Sequence, residues 1–314
     1  MGSVRDEPLG GALPSGMWSV GGGKGGVGKS IVAASLAYWL GQAKHRVVLV
    51  DGDLGGANLH TLLGIRVPRL TLEDYLLHRV EDLEDALLET PFEGVRLLAG
   101  GYDVASLANP NYGQKARVLR ALNRLRADHI LVDLGAGTSL NVLDFFLASP
   151  HRLVVMAPQP TSIQNAYGFI KAALYRQLAR IVAKVPEAAA VLGGARGEGG
   201  PTRTAPELIA EMARRAPDLG DRLAAVLPGF RVRLVVNMTH NLHDAQTAEV
   251  VGGVCQRYLG IAVDALGAIP VDAAVERWAA TMDPACFLRP GVDGARRGAY
   301  DIAARMAAPP AKAA

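Results

Sequence analysis

Cysteine is nearly absent from this chain: there are two in 314 residues, Cys255 and Cys286, far apart and without C-x-x-C spacing. That excludes a disulfide framework and a zinc site built on cysteine pairs, and it suits a reducing cytoplasm. The charge imbalance is small, +3 at pH 7, which does not by itself dictate a nucleic-acid partner. No apolar run approaches a membrane span, and the N-terminus lacks the basic and apolar regions of a secretory signal. Asp6 stands where N-myristoylation needs Ser or Thr. No internal repeat is present. What remains is ordinary globular material, 50% hydrophobic and 20% charged, long enough for one large α/β domain or two small ones.

Short apolar runs at 17–20, 46–50, 95–98, 129–132, 153–156, 232–236 and 265–269 alternate with helical patterns. Their hydrophobicity is continuous rather than alternating, as in strands buried on both faces. The expected fold is therefore α/β: a doubly wound, mostly parallel sheet with helices on both faces, its ligand beyond the strands' C-terminal ends. Residues 1–16 read as a flexible segment, 17–308 as one domain, and 309–314 as a tail. A flexible loop at 193–203 sits within an insertion at 185–228, which is too short to bury its own core. Inside it, Thr204-Ala205-Pro206-Glu207 reads as a capping box opening a helix that Pro217 ends.

After the first run comes Gly23-Lys24-Gly25-Gly26-Val27-Gly28-Lys29-Ser30, a full match to the phosphate-loop pattern G-x-x-x-x-G-K-[ST]. Glycines let backbone N–H groups wrap an anion. Lys29 is expected to reach the β- and γ-phosphates, and the Ser30 hydroxyl to ligate Mg²⁺. Ile31 and a following amphipathic helix (Val32, Leu36, Trp39, Leu40) complete the strand–loop–helix order and aim a positive helix end at the phosphates. Gly21, Gly23 and Gly26 also spell G-x-G-x-x-G, but a dinucleotide fold leaves Lys29 and Ser30 unexplained.

Two further carboxylate clusters follow strands: Asp51-Gly52-Asp53 before a glycine-rich stretch to Asn58, and Asp133 before Leu134-Gly135-Ala136-Gly137. Carboxylates at strand ends next to glycines suit a magnesium-proximal loop that changes shape with a γ-phosphate.

Lys24 has no role in an ordinary phosphate loop. Together, Lys24-Gly25-Gly26-Val27-Gly28-Lys29-Ser30 resembles the deviant Walker A loop of the MinD/ParA ATPases, and the second and third motifs resemble their FlhG-like branch. The resemblance implies an ATP-dependent homodimer with ATP/ADP and Mg²⁺, in which Lys24 reaches across to the partner's phosphates much as an arginine finger does. It further implies that Asp51 sits near the metal through water, that Asp53 positions the attacking water, and that Asn58 holds the loop closed. Asp133 would be the Walker B acid, with Gly135 and Gly137 approaching the γ-phosphate. Lys24, Lys29 and Asp53 are thus the expected catalytic set; Ser30, Asp51, Asp53 and Asp133 are the expected metal set. Asn237 resembles the family's adenine-reading asparagine, and Pro270 and Asp272 its closing loop beside the base. Gln159 stands where relatives carry glutamate, which leaves that contact open.

His240 and His243 lack a third metal ligand and read as a loop or cap. Arg117, Arg120 and Arg124, and likewise Lys171, Arg176, Arg180 and Lys184, form basic helical stripes that read as solvated faces. They leave a DNA-binding partition ATPase as the first alternative, with a metallo- or cofactor-assembly factor as the second. The segment 300–306 reads as a packing helix rather than a membrane hook, so direct membrane binding is not expected. An Asp-Gln-Ala-x-x-Leu-Arg segment like the FlhG activating helix is missing from the N-terminus. Cys255 and Cys286 lie outside the motifs, so no iron–sulfur cluster is expected. The expected setting is the bacterial cytoplasm, with an unidentified activator or cargo.

Overall fold

The computed structural model describes residues 16–53, 56, 58–101, 110–183, 185, 204–288 and 292–308. In it, eight strands form one sheet: β1 (Met17–Gly21), β2 (Val47–Gly52), β3 (Leu87–Glu89), β4 (Val95–Leu98), β5 (His129–Leu134), β6 (His151–Met156), β7 (Val232–Thr239) and β8 (Val263–Pro270), in the order β3-β4-β2-β5-β1-β6-β7-β8. Every neighbouring pair is parallel except β3–β4. The seven runs read from the sequence are all strands. The antiparallel edge strand β3 went unread, since three residues carry no periodicity. Residues 1–15, Leu54, Gly55, Ala57, the loop at 193–203, Lys184 and the tail at 309–314 lie outside the described residues.

The described helices are α1 (Lys29–Gln42), α2 (Leu59–Leu62), α3 (Leu72–Leu76), α4 (Tyr112–Leu122), α5 (Leu140–Ala148), α6 (Pro160–Val182), α7 (Ala205–Arg215), α8 (Pro217–Ala224), α9 (Val226–Gly229), α10 (Leu242–Ala245), α11 (Thr247–Leu259), α12 (Ala273–Thr281) and α13 (Gly294–Ala307). They cover both faces of the sheet. In β2, Val48 and Val50 join the cluster containing α4–α8 and α11, while Val47 and Leu49 join the one containing α1, α12 and α13. Successive strand residues feed opposite layers, which is why these runs are apolar without alternation.

The expectation that α1 is amphipathic is corrected. From Val32 to Gly41 every residue is buried. One side lies on the sheet; the outer side is covered by α13, through Ala295, Ala299, Ile302, Ala303 and Met306. The C-terminal helix is thus a packing helix, as read.

The capping box forms as expected: Thr204 Oγ1 accepts the Glu207 N–H at 3.3 Å, and Glu207 Oε2 accepts the Thr204 N–H at 2.8 Å. The helix it opens ends at Arg215, and Pro217 starts the next one at its first position, where a missing N–H costs nothing. Leu208, Met212, Leu219 and Leu223 of these two helices join the main core.

At the opposite pole from the strands' C-terminal ends, His129 opens β5 at 8% exposure, its ring edge-on to His45 at 4.9 Å. Burial, then the neighbouring His45, pushes its pKa down to about 4. The folded value lies below the unfolded 6.5, so the folded state binds this proton less well than the unfolded chain does. Stability is therefore full above pH 6.5 and lost progressively towards pH 4. His129→Gln is expected to remove about 2–3 kcal/mol of that acid sensitivity, read as flatter urea midpoints between pH 7 and 4. Equal slopes for variant and wild type would refute it.

Candidate nucleotide-binding site

The site is built where β1, β2 and β5 end together. β1 runs into the glycine loop, which turns directly into α1. Gly28, the residue before α1, has φ 82°, a conformation that penalises any side chain, and a Cβ there would collide with the Asn237 amide. Gly25 and Gly26 are exposed, and a Cβ on either would meet nothing within 4 Å. Their backbone faces open space at a helix N-terminus, as anion binding requires. Lys29 is buried and its stem folds over Gly22. Lys24 is exposed on the loop.

Strand register sets the acids. β2 and β5 pair so that Asp51 lies directly beside Asp133. Asp51 Oδ2 accepts the Leu59 N–H at 3.0 Å and Oδ1 accepts the Asp53 N–H at 3.2 Å, so it organises the turn around it. Asp53 leans onto the third motif: a Cβ at Gly135 would stand 2.9 Å from Asp53 Oδ1. The Gly137 N–H donates to the Gly22 carbonyl at 3.2 Å, which ties the third motif to the phosphate loop. Asn58 Nδ2 donates to the Gly56 carbonyl at 2.6 Å.

Burial pushes the Asp133 carboxyl up to about 7; a hydrogen bond from Ser30 and the charge of Lys29 pull against it, while Asp51 and Asp53 add to it. Asp51 is pushed up to about 6, again by burial first. Asp133 Oδ1 is buried without a hydrogen-bond partner. Crowded acids and an orphan oxygen beside a serine hydroxyl are the environment a divalent cation relieves. Among the described residues no three His, Cys, Asp or Glu side chains converge into a metal cage.

Beside the loop lies a cleft of about 390 Å³, lined by Ile31, Pro158, Gln159, Asn237, Met238 and Pro270 among others. Its apolar walls and few polar groups suit a base. Asn237 is 7% exposed at the end of β7, and its Nδ2 donates to the Val27 carbonyl at 2.9 Å. Gln159 is exposed at the rim. Asp272 lines the cleft, but its oxygens cap two helices, accepting Ala274 N–H at 2.7 Å and Ala295 N–H at 3.2 Å. A larger groove of about 630 Å³, lined by Tyr75, Glu84 and Arg124 among others, holds none of the site residues.

A family model, the CobQ/CobB/MinD/ParA nucleotide binding domain, matches residues 18–285. The chain belongs to that family. It is 38% identical over 167 residues to the antiactivator FleN of Pseudomonas aeruginosa, covering 52% of this chain and 59% of FleN. It is 34% identical over 155 residues to the flagellum site-determining protein YlxH of Helicobacter pylori, covering 48% and 50%. The matches thus span only 59% and 50% of these relatives' own lengths. Among solved structures, MinD of Pyrococcus horikoshii complexed with Mg-ADP superposes with a TM-score of 0.60 at 22% identity, over 93% of this chain and 95% of that one. The doubly wound MinD/ParA-type fold is therefore shared along almost the whole chain.

For this family member, the three sequence motifs converge on one site, and Asn237 and Pro270 line an adjoining cleft. The arginine stripes meet the expectation of solvated faces only in part: Arg120 and Arg124 are exposed, and the other arginines are engaged. Arg176 and Arg180 turn inward to Asp144 at 2.9 and 2.6 Å, joined by Lys115 at 2.5 Å, and Arg117 stacks on Tyr75 at 4.2 Å. Sequence reasoning missed Met238, which reaches the cleft only through a backbone irregularity that composition does not signal. It also missed Asp144, whose partners lie on two other helices. No described helix is long and apolar enough to cross a membrane.

Proposed function

We propose that this protein is an ATPase that works as a dimerising switch, hydrolysing ATP to ADP and phosphate. The observation that carries this reading is the register that sets Asp51 beside Asp133 at the mouth of the Lys29–Ser30 loop, with Asp53 leaning onto Gly135. Backbone N–H groups of Gly23–Ser30 and the Lys29 ammonium bind the phosphates; Ile31, Asn237 and Pro270 flank the base. Ser30, with Asp51, Asp53 and Asp133, would hold Mg²⁺, which supplies charge neutralisation at the β- and γ-phosphates. Asp53 orients water for in-line attack, and exposed Lys24 neutralises charge on the partner protomer's phosphates. Residues 51–58 and 133–139 then relax together, which ties nucleotide state to assembly state. The switch loops are incompletely preorganised, so turnover is slow without an activating partner.

The likeness to YlxH, a flagellum site-determining protein, supports spatial placement or number control of cellular machinery such as flagella as the cargo process. We take 17–308 as one ATPase domain with 185–228 as an insertion, acting in the bacterial cytoplasm. The DNA-partition alternative loses one of its two stripes, because Arg176 and Arg180 are engaged with Asp144, and keeps exposed Arg120 and Arg124. The cofactor-assembly alternative draws no support from Cys255, buried with its thiol pushed up to about 12. Burial of the apolar face of α13 against α1 likewise leaves no membrane hook there.

Size exclusion with light scattering tests the switch. Wild type is expected to be monomeric with ADP, and Asp53→Ala to be trapped as a dimer with ATP. Lys24→Ala is expected to lose both dimer and turnover. A monomer in every state would sink the dimer mechanism.

A further inference from the structure

The strand that carries Asn237 is broken at the next residue. β7 and β8 pair Asn237 with Ile269 and Thr239 with Pro270, so Met238 is an extra residue in β7, a bulge. Met238 has φ 61°, the left-handed region that costs a non-glycine residue about 1 kcal/mol or more. Methionine has no polar group to repay that locally, unlike Asn or Asp. Bulges beside sites re-aim side chains, and strain at an outlier of this kind is kept where it is used.

What the bulge accomplishes is visible in the neighbours. Asn237 and Thr239 stay buried, whereas Met238 is 36% exposed. Its methyl Cε lies 3.6 Å from where a Cβ on Gly28 would stand, next to the Asn237 amide. It lines the same cleft as Ile31, Pro158 and Pro270. Without the bulge, the strand's alternation would not deliver both Asn237 and its neighbour to one cleft. With it, a flexible, polarizable thioether stands between the phosphate loop and the base slot.

We propose that Met238 is a nucleotide-contacting residue: the bulge turns its thioether against the purine face, where it selects nucleotides that carry a stackable base over bare polyphosphate. Sulfur–aromatic contacts supply the attraction, and the unbranched chain adapts to the base as it enters. This inference rests on the nucleotide-site reading above and adds a residue to it.

Calorimetric titration of wild type, Met238→Ala, Met238→Leu and Met238→Gly with ATP and with inorganic tripolyphosphate, each with Mg²⁺, tests the proposal. Met238→Ala is expected to weaken ATP about tenfold and tripolyphosphate less than twofold. Met238→Leu is expected to lie between wild type and alanine, because it keeps bulk but loses sulfur. Met238→Gly is expected to weaken ATP as alanine does while raising the melting temperature, since glycine relieves the left-handed strain. Equal losses for ATP and tripolyphosphate in Met238→Ala, or ATP affinity within twofold of wild type, would overturn the role of Met238 and leave the nucleotide site standing. Wild type that binds neither ligand would overturn the nucleotide reading together with it.

Discussion

Replacing Asp144 by alanine is expected to cost about 3 kcal/mol of folding stability, enough to halve the margin of many domains. The carboxylate is 4% exposed on α5 and is gripped from two other helices, by Lys115 of α4 and by Arg176 and Arg180 of α6. Burial alone would push its pKa up; hydrogen bonds from Arg176 and Lys115, with the charge of Arg180, outweigh it and hold the group below the usual carboxylate range. Removing the acid leaves a nearly buried lysine facing two guanidinium groups, and this repulsion, more than the lost hydrogen bonds, sets the size of the effect. The two arginines are about a third exposed and partly screened, which keeps the figure at the lower end. The sign with pH follows from the depressed folded value: the stabilisation is full above the unfolded pKa of about 3.9 and disappears as pH falls below it. Urea denaturation of Asp144→Ala at pH 7 and pH 3 measures both. The gap to wild type should be large at pH 7 and should narrow at pH 3; a loss under 1 kcal/mol at pH 7 would show that the helices hold together without the hub.

Asp133→Asn is expected to move stability and activity in opposite directions. Free of nucleotide and metal, the ionised Asp133 is a buried acid beside Asp51 and Asp53. Its folded pKa, about 7, lies above the unfolded value, so the folded state binds the proton more tightly. Ionisation therefore costs stability progressively as pH rises from about 4 through 7, and the cost is complete at pH 8. Asparagine keeps the shape and drops the charge. In EDTA at pH 8 the variant is expected to be about 2 kcal/mol more stable than wild type, with the difference vanishing near pH 4. With Mg²⁺ and ATP present, the same substitution is expected to lower turnover roughly 10–100-fold, the usual penalty for losing a group that orders metal-bound water. Paired denaturation curves and phosphate-release assays read the two effects. A variant less stable than wild type at pH 8 in EDTA would mean that the carboxylate is compensated in the free protein.

The motifs at Gly23–Ser30, Asp51–Asn58 and Asp133–Gly137 were legible because each is local: an apolar strand delivers a few residues to its own C-terminal end, and the rule for parallel sheets gathers those ends. The parallel sheet was legible for the same reason, since strands such as Val47–Gly52 feed two layers at once. What the chain hid is what depends on distant partners. The Asp144 hub joins residues 115, 144, 176 and 180, and each of its arginines looks, in sequence, like a solvated helix face. The burial of α1 depends on a helix more than 250 residues later in the chain. The bulge at Met238 is a backbone event with no glycine to announce it. Asp272 reads in sequence as a base-side residue; in the structure it lines the cleft while both its oxygens hold helix starts.

The enclosure of α1 bears on how the nucleotide's presence can be sensed from outside. Of its residues only Gln42, at the far end, is exposed, so the helix attached to the phosphate loop has almost no surface to offer a regulator, an antibody or a dye. An inhibitor reaches this helix only from the cleft, which Ile31, Val32 and Ser35 help to line, and a fluorophore placed between Val32 and Gly41 is expected to destabilise its host. A reporter group belongs instead at Leu242, an exposed position just beyond β7 that carries no part of the site. The same burden of packing is expected to make substitutions between Val32 and Gly41 act on folding first.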